Sequence, residues 1–372
     1  MRFPGFEGEW EKHFLVDIVD RVTRKNKAME TNRPLTISAQ FGLIDQIDFF
    51  KKTVASQDLS SYYLLLNGEF AYNKSYSSEY PWGAIKRLDL YDKGALSSLY
   101  ICFKPKGTID SDYLVHYFES SKWHQGMANI AGEGARNHGL LNIAIPDFFN
   151  TIHYLPNVSE QRKIADFLNL IEERIAVQNK VIEKYESLIK ALYSQLIPEN
   201  SDNYEALGNL VQICKGKQLN SEYLSDDGKY YVMNGGTTPS GYYDDYNTPA
   251  DTISISEGGN SCGFVQYNEV PFWSGGHCYT LLQTSDKRVQ YKFLYHFLKS
   301  KQDDIMALRI GSGLPNIQKK DLVNYPIPIL PREFQIVITR LFAIVTKHVE
   351  YERAILNGLT SQKQYLLSEL FI

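Results

Sequence analysis

Between residues 161 and 196 the chain reads QRKIADFLNLIEERIAVQNKVIEKYESLIKALYSQL. Ile164, Leu168, Ile171, Ile175, Gln178, Ile182, Tyr185, Ile189, Leu192 and Leu196 recur at alternating steps of four and three. That spacing is an a/d heptad seam and predicts one long helix, with Gln178 as a polar seat near its middle. Ser159 stands where an N-cap is expected. The pattern returns 174 positions later on Ile338, Phe342, Val345, Val349, Glu352, Leu356, Leu359, Lys363, Leu366 and Leu370. A second helix of the same kind is therefore predicted, with Lys363 leaving its last turns partly exposed or turned to a partner.

The repeat extends beyond the helices. GLLNIAIPDFFN (139–150) aligns with GLPNIQKKDLVN (313–324), and DYLVHYFES (112–120) with KFLYHFLKS (292–300), placing His116 on His296. EWEKHFLVDIV loosely resembles NYEALGNLVQI. Between these anchors the copies differ, but both read as β-rich. Strands are predicted at YYLLL, EFAYN and SLYICF in the first copy, and at KYYVM, DTISIS and CYTLLQ in the second, with Gly-rich turns between.

The predicted class is α+β: two β-rich modules separated by two long antiparallel coiled-coil helices, related by a pseudo-twofold internal repeat. The boundaries are 1–155 for the first module, 156–198 for the central helix, 199–330 for the second module and 331–372 for the C-terminal helix. Gln178 and Glu352 lie at equivalent midpoints, where an antiparallel pair lets a Gln amide donate to a Glu carboxylate and set register. The alternative is that each faces solvent or a partner protein. About 33 residues at 1.5 Å rise make a helix of roughly 50 Å, the length of about 15 base pairs of duplex.

Composition narrows the class. Hydrophobic residues at 43% and charged residues at 22% are ordinary for a globular chain. A net charge of −4 means that any nucleic-acid contact rests on local basic patches or on partners. Cys102, Cys214, Cys262 and Cys278 are scattered, so neither a disulfide framework nor a zinc site is expected and the cytoplasm is the natural compartment. No membrane span is expected. No phosphate loop, dinucleotide fingerprint or Asn-Pro-Pro-aromatic tetrapeptide is present. Pro146-Asp147 followed by Glu160-Gln161-Arg162 only faintly echoes a nuclease carboxylate pair, and no catalytic or metal-binding residue is assigned.

RFPGFEGEWEKHFLVDI, GEFAYNKSYSSEYPWGAIKRLD and GALSSLYICFKP in the first half carry a family resemblance. So do YVMNGGTTPSGYY, TISISEGGNSCGFVQY and FWSGGHCYTL in the second, with the two GLxNI connectors that lead into heptad helices. In order and duplication these resemble the specificity (S) subunit of type I restriction–modification systems over essentially the whole chain. The connectors depart from the family in YLPNVSEQ and ILPREFQ, the latter lacking a Glu directly before Gln335.

The resemblance implies two target-recognition domains, each binding one half of an asymmetric bipartite double-stranded DNA site, with the helices setting the gap. It implies no catalysis by this chain. Two methyltransferase (M) subunits would use S-adenosylmethionine, and restriction (R) subunits would use ATP and Mg, so cofactors are expected on partners and none here.

Base and phosphate contacts call for Arg, Lys, Asn, Gln, Ser and Thr on loops. In the first module the candidates are Lys74, Ser75, Tyr76, Lys86, Arg87, Arg136, Asn137 and His138. In the second they are Lys215, Lys217, Gln218, Asn234, Thr237, Thr238, Ser240, Tyr242, Asn260, Ser261, Trp273, His277, Arg309 and Ser312. The 26 Tyr, 19 Phe and 4 Trp, many in loop-like contexts, also leave open a carbohydrate-binding or adhesive β-protein.

Overall fold

A computed structural model describes residues 2–52, 55–56, 58–77, 79–132, 139–196, 203–311, 313 and 315–372. Contacts divide the chain into two compact units, Met1–Val177 with Ile355–Ile372, and Gln178–Ala354. The central helix, Val158–Leu196, and the C-terminal helix, Arg332–Glu369, each contribute a part to both units.

In the first unit a four-stranded antiparallel sheet runs in the order Val19–Arg21, Ile101–Pro105, Phe70–Asn73, Ala84–Arg87. The second unit builds the same sheet from Val211–Lys215, Cys278–Gln283, Thr252–Ser256 and Val265–Asn268. Each is preceded by a strand paired with one just before a long helix: Glu11–Phe14 with Ile152–Leu155, and Tyr204–Ala206 with Pro326–Pro328. A helix follows each sheet, Ser111–Glu119 and Tyr291–Ser300. The repeat therefore extends to the sheet strands of both modules, most of which were not alike enough to align as sequence.

The copies diverge in what is inserted between shared strands. Residues 22–69 of the first carry the hairpin Leu35–Ser38/Gly42–Asp45 and the strand Tyr63–Leu66, which pairs with Lys93–Leu96. These share a small core of Leu35, Ile37, Leu43, Leu65 and Leu96. Residues 216–251 of the second carry Tyr230–Met233, flanked by Tyr242–Tyr243 and by Trp273–Ser274. The segment SLYICF turns before it extends: Tyr100 N–H bonds Ser97 O at 3.2 Å, and the strand starts at Ile101.

The central helix starts ahead of the expected Ser159 cap. Asn157 Oδ1 accepts the Glu160 N–H at 3.0 Å, which makes Asn157 the cap and puts Ser159 inside the first turn. Two buried glutamines then clamp module to helix. Gln161 Oε1 accepts the Asp110 N–H at 2.9 Å and its Nε2 donates to Pro156 O at 2.8 Å. Gln335, 174 residues on, does the same with Gln290 N–H at 2.7 Å and Leu330 O at 2.8 Å. Asp110 and Gln290 are the N-cap residues of the two helices that follow the sheets.

Every seam position is buried or half-buried. Within the second unit Gln178 faces Glu352, Tyr185 stacks on His348 at 6.0 Å, and Tyr193 stacks on Phe342 at 3.8 Å. Partner numbers fall as residue numbers rise, so the helices are antiparallel. Gln178 Nε2 donates to the Glu352 carboxylate and, at 3.0 Å, to the Glu352 carbonyl oxygen. In the first unit Ile164, Leu168 and Ile171 share a core with Leu367 and Leu370. Lys363 does not face outward there: its Nζ reaches Glu119 at 2.8 Å and Glu172 at 2.5 Å.

Candidate nucleic-acid interface

At one end of the second module's sheet, five segments are tied together. Lys215 ends its strand, and Lys217 and Gln218 follow in the turn. Trp273 Nε1 donates to Lys217 O at 3.0 Å, and the Trp273 ring meets Tyr243 edge-on at 5.2 Å. Asn234, just after Tyr230–Met233, accepts the His277 N–H on Oδ1 at 3.2 Å. Ser256 Oγ donates to Gly235 O at 2.6 Å. Asn316 bridges to both Gly258 and Ile310, which brings the Arg309 loop against the 257–261 turn that carries Asn260 and Ser261. Thr237, Thr238, Ser240 and Tyr242 lie exposed on the adjoining 234–242 segment.

This closeness depends on glycine. A Cβ on Gly216 would fall 2.2 Å from Gly275 O and 2.4 Å from Ser274 O, backbone atoms that cannot move aside. The equivalent end of the first module has the same constraint at Gly83, where a Cβ would lie 2.1 Å from Asn73 O at a φ of +77°.

Glu257 sits buried at the centre of the second module's loops. Lys215 Nζ lies 2.5 Å away, His277 Nδ1 3.3 Å and Tyr279 OH 3.3 Å. Burial, and then the Glu257 charge, push the Tyr279 phenol up to about 12, so it stays a neutral donor. Glu257 was missed in the sequence because one acid in a Ser-Glu-Gly-Gly turn carries no pattern.

In the first module Lys74, Ser75 and Tyr76 occupy the loop after Phe70–Asn73. That loop is zipped to the GLLN segment by Tyr76 N–H to Gly139 O at 2.8 Å and Leu141 N–H to Lys74 O at 2.9 Å. Lys86 and Arg87 are half-buried and already paired. Lys86 meets Glu119 at 3.3 Å, while Arg87 meets Asp89 and Asp112 at 2.7 Å each. Their positive charge is neutralised within the module, whereas Ser75 and Tyr76 of the adjoining loop are exposed and Lys74 is half-buried. Arg136, Asn137, His138 and Ser312 lie outside the described residues.

Among the described residues, His116, Glu119 and Glu172 are near enough to one another to share a cation. The Lys363 ammonium lies between the two carboxylates. Burial pushes the Glu119 carboxyl up, but Lys363 and Lys86 outweigh it and hold the group below its ordinary value. The arrangement is an internal ion cluster that joins the module to both helices. No helix among the described residues is long and apolar enough to cross a membrane.

A family model described as the type I restriction modification DNA specificity domain matches residues 200–361. A Mycoplasma pneumoniae protein described as a type I specificity subunit is 38% identical over 126 residues, 34% of this chain and 33% of its own length. A Mycoplasma genitalium protein of the same description is 38% identical over 122 residues, 33% of this chain and 32% of its own length. The chain thus matches about a third of the length of these relatives. The crystal structure of a type I restriction–modification S subunit from M. genitalium superposes with a TM-score of 0.62 at 19% identity, covering 100% of this chain and 99% of that one. Residues 200–361 are thus similar to the type I restriction modification DNA specificity domain, in a chain that resembles type I specificity subunits over a third of its length and shares the fold of the M. genitalium S subunit.

Proposed function

We propose that the chain is the DNA sequence-specificity subunit of a type I restriction–modification complex, without catalysis of its own. Each module reads one half of an asymmetric bipartite site, and the helices set the gap and recruit methyltransferase subunits. The observation that carries this reading is the duplicated module: one sheet, one following helix and one glutamine clamp, built twice, with different insertions at the loop-bearing end. Shared scaffolding with divergent loops suits two readers of different base sequences.

Recruitment is supported by the outward faces of the helices. Leu170 and Val177 are each 59% exposed, and Ile344 and Tyr351, 174 positions on, are 58% and 56% exposed. Exposed apolar residues at matched repeat positions suit two copies of one partner, which is the expectation for two M subunits. Those subunits would hold S-adenosylmethionine, and R subunits ATP and Mg. The mildly acidic net charge of −4 suits a chain whose partners complete the positive field around DNA.

The test is co-expression with the cognate methyltransferase subunit, followed by mapping of methylated adenines across the host genome. Two different half-sites separated by a constant gap are expected. A contiguous palindrome, or no methylation, would overturn the proposal.

A further inference from the structure

The two modules share their sheet, so whatever makes their readings differ lies in what they do not share. Glu257 is such a difference. The first residue after the strand Thr252–Ser256 is this buried glutamate, whereas the first after the corresponding strand Phe70–Asn73 is Lys74. Glu257 is joined through every polar group it has. Its N–H donates to His277 O at 2.9 Å, and its carbonyl accepts the Ile317 N–H at 2.9 Å and the Cys262 thiol at 2.9 Å. Its carboxylate takes Lys215, His277 and Tyr279.

The outward halves of this arrangement are accessible. The Lys215 and His277 side chains are 52% and 61% exposed while the Glu257 side chain is 12% exposed. A carboxylate so placed leaves two flexible groups with one direction each. It also orders the imidazole: a carboxylate beside Nδ1 favours the proton there, which leaves Nε2 as the nitrogen turned to solvent. Lys offers only donors, and the base edge richest in acceptors is guanine O6/N7 in the major groove.

We propose that Glu257 is a positioning residue for base reading by the second module, aiming the Lys215 ammonium at an acceptor-bearing base edge, guanine foremost, and the accepting His277 Nε2 at a donor-bearing edge beside it, in one half-site. This rests on the DNA-specificity function proposed above.

The experiment uses the complete complex of this chain with its methyltransferase partners, and maps adenine methylation at single-base resolution. Glu257→Gln preserves size and a hydrogen bond to Tyr279 but removes the charge that holds Lys215 and His277. The expected result is about a tenfold loss of discrimination at one or two adjacent positions of one half-site. The other half-site and the gap stay as in the wild type, with the thermal midpoint unmoved. Glu257→Asp restores part of the discrimination, and Lys215→Met and His277→Gln, both at exposed side chains, relax the same positions. If Glu257→Gln fails to assemble, those two exposed variants decide the matter.

A wild-type motif in Glu257→Gln and Lys215→Met, or relaxation spread over both half-sites with a lowered midpoint, overturns the inference while leaving the specificity function intact. A wild-type complex that yields no bipartite motif overturns the specificity function itself, and this inference with it.

Discussion

Gln161 and Gln335 show how much a single uncharged side chain can carry. Each is almost fully buried; Gln161 satisfies one backbone N–H and one backbone C=O, and Gln335 one N–H and two C=O groups. Truncation leaves these groups buried without partners, at about 1–3 kcal/mol each. Gln161→Ala is therefore expected to lower unfolding stability by about 2–6 kcal/mol, read as a lowered urea midpoint. Gln335→Ala should behave alike, while Gln178→Ala, in a half-buried seat, should lose less. Equal losses for all three would show that the clamp is not special. Both clamp glutamines stand in plain view within the repeated connectors, yet the N–H groups that donate to them lie 51 and 45 residues away and belong to packing, not to pattern.

At the scale of the element, the long helices were the most legible part of the chain. A 3.5-residue period sustained through both helices leaves few alternatives, and every seam position proves buried or half-buried. The contact between Gln178 and Glu352 follows from antiparallel pairing about equivalent midpoints. A polar pair in such a seat fixes register at some cost in stability. Replacing both with Leu is expected to raise the melting temperature by a few degrees, about 1–2 kcal/mol. An unchanged midpoint would mean that the pair costs nothing relative to two leucines, and a lower one that it contributes net stability; either contradicts the expectation. Under the proposed function, one heptad inserted at these midpoints in both helices adds roughly 10 Å, and the mapped gap should grow by about three base pairs. An unaltered gap would separate helix length from spacing.

Across the whole molecule, each unit buries a histidine that cannot readily take a proton. Burial pushes His153 down to about 4, where Tyr117 and Thr151 hold its two nitrogens. Burial and then Lys292 do the same to His296, which is also lowered to about 4. In the unfolded chain both titrate near 6.5. Their contribution is complete above pH 6.5 and is lost as pH falls from there toward 4, because only the unfolded chain binds the protons. The slope is about 1.4 kcal/mol per pH unit for each histidine. Urea midpoints should therefore drop steeply between pH 6.5 and 5 and change little between 8 and 7. His153→Gln should flatten the acid slope of the first unit alone. A flat profile from pH 7 to 5 would contradict the burial of both rings.

The sequence by itself determined the two long helices, their antiparallel pairing, the duplication and six strand segments. Those features are written as periodicity and repeated words, which are local and additive. Only the tertiary structure decided that the β-rich segments form the same four-stranded sheet twice. A sheet accepts any alternation of apolar side chains that fills its core, so Phe70 and Ile253 hold equivalent strands with nothing in common but burial. It also decided which cations remain outward: Lys86 and Arg87 are consumed by internal acids, whereas Lys215 is held half-exposed against Glu257. The fate of a charge depends on what folds beside it, and those neighbours are tens of residues distant along the chain.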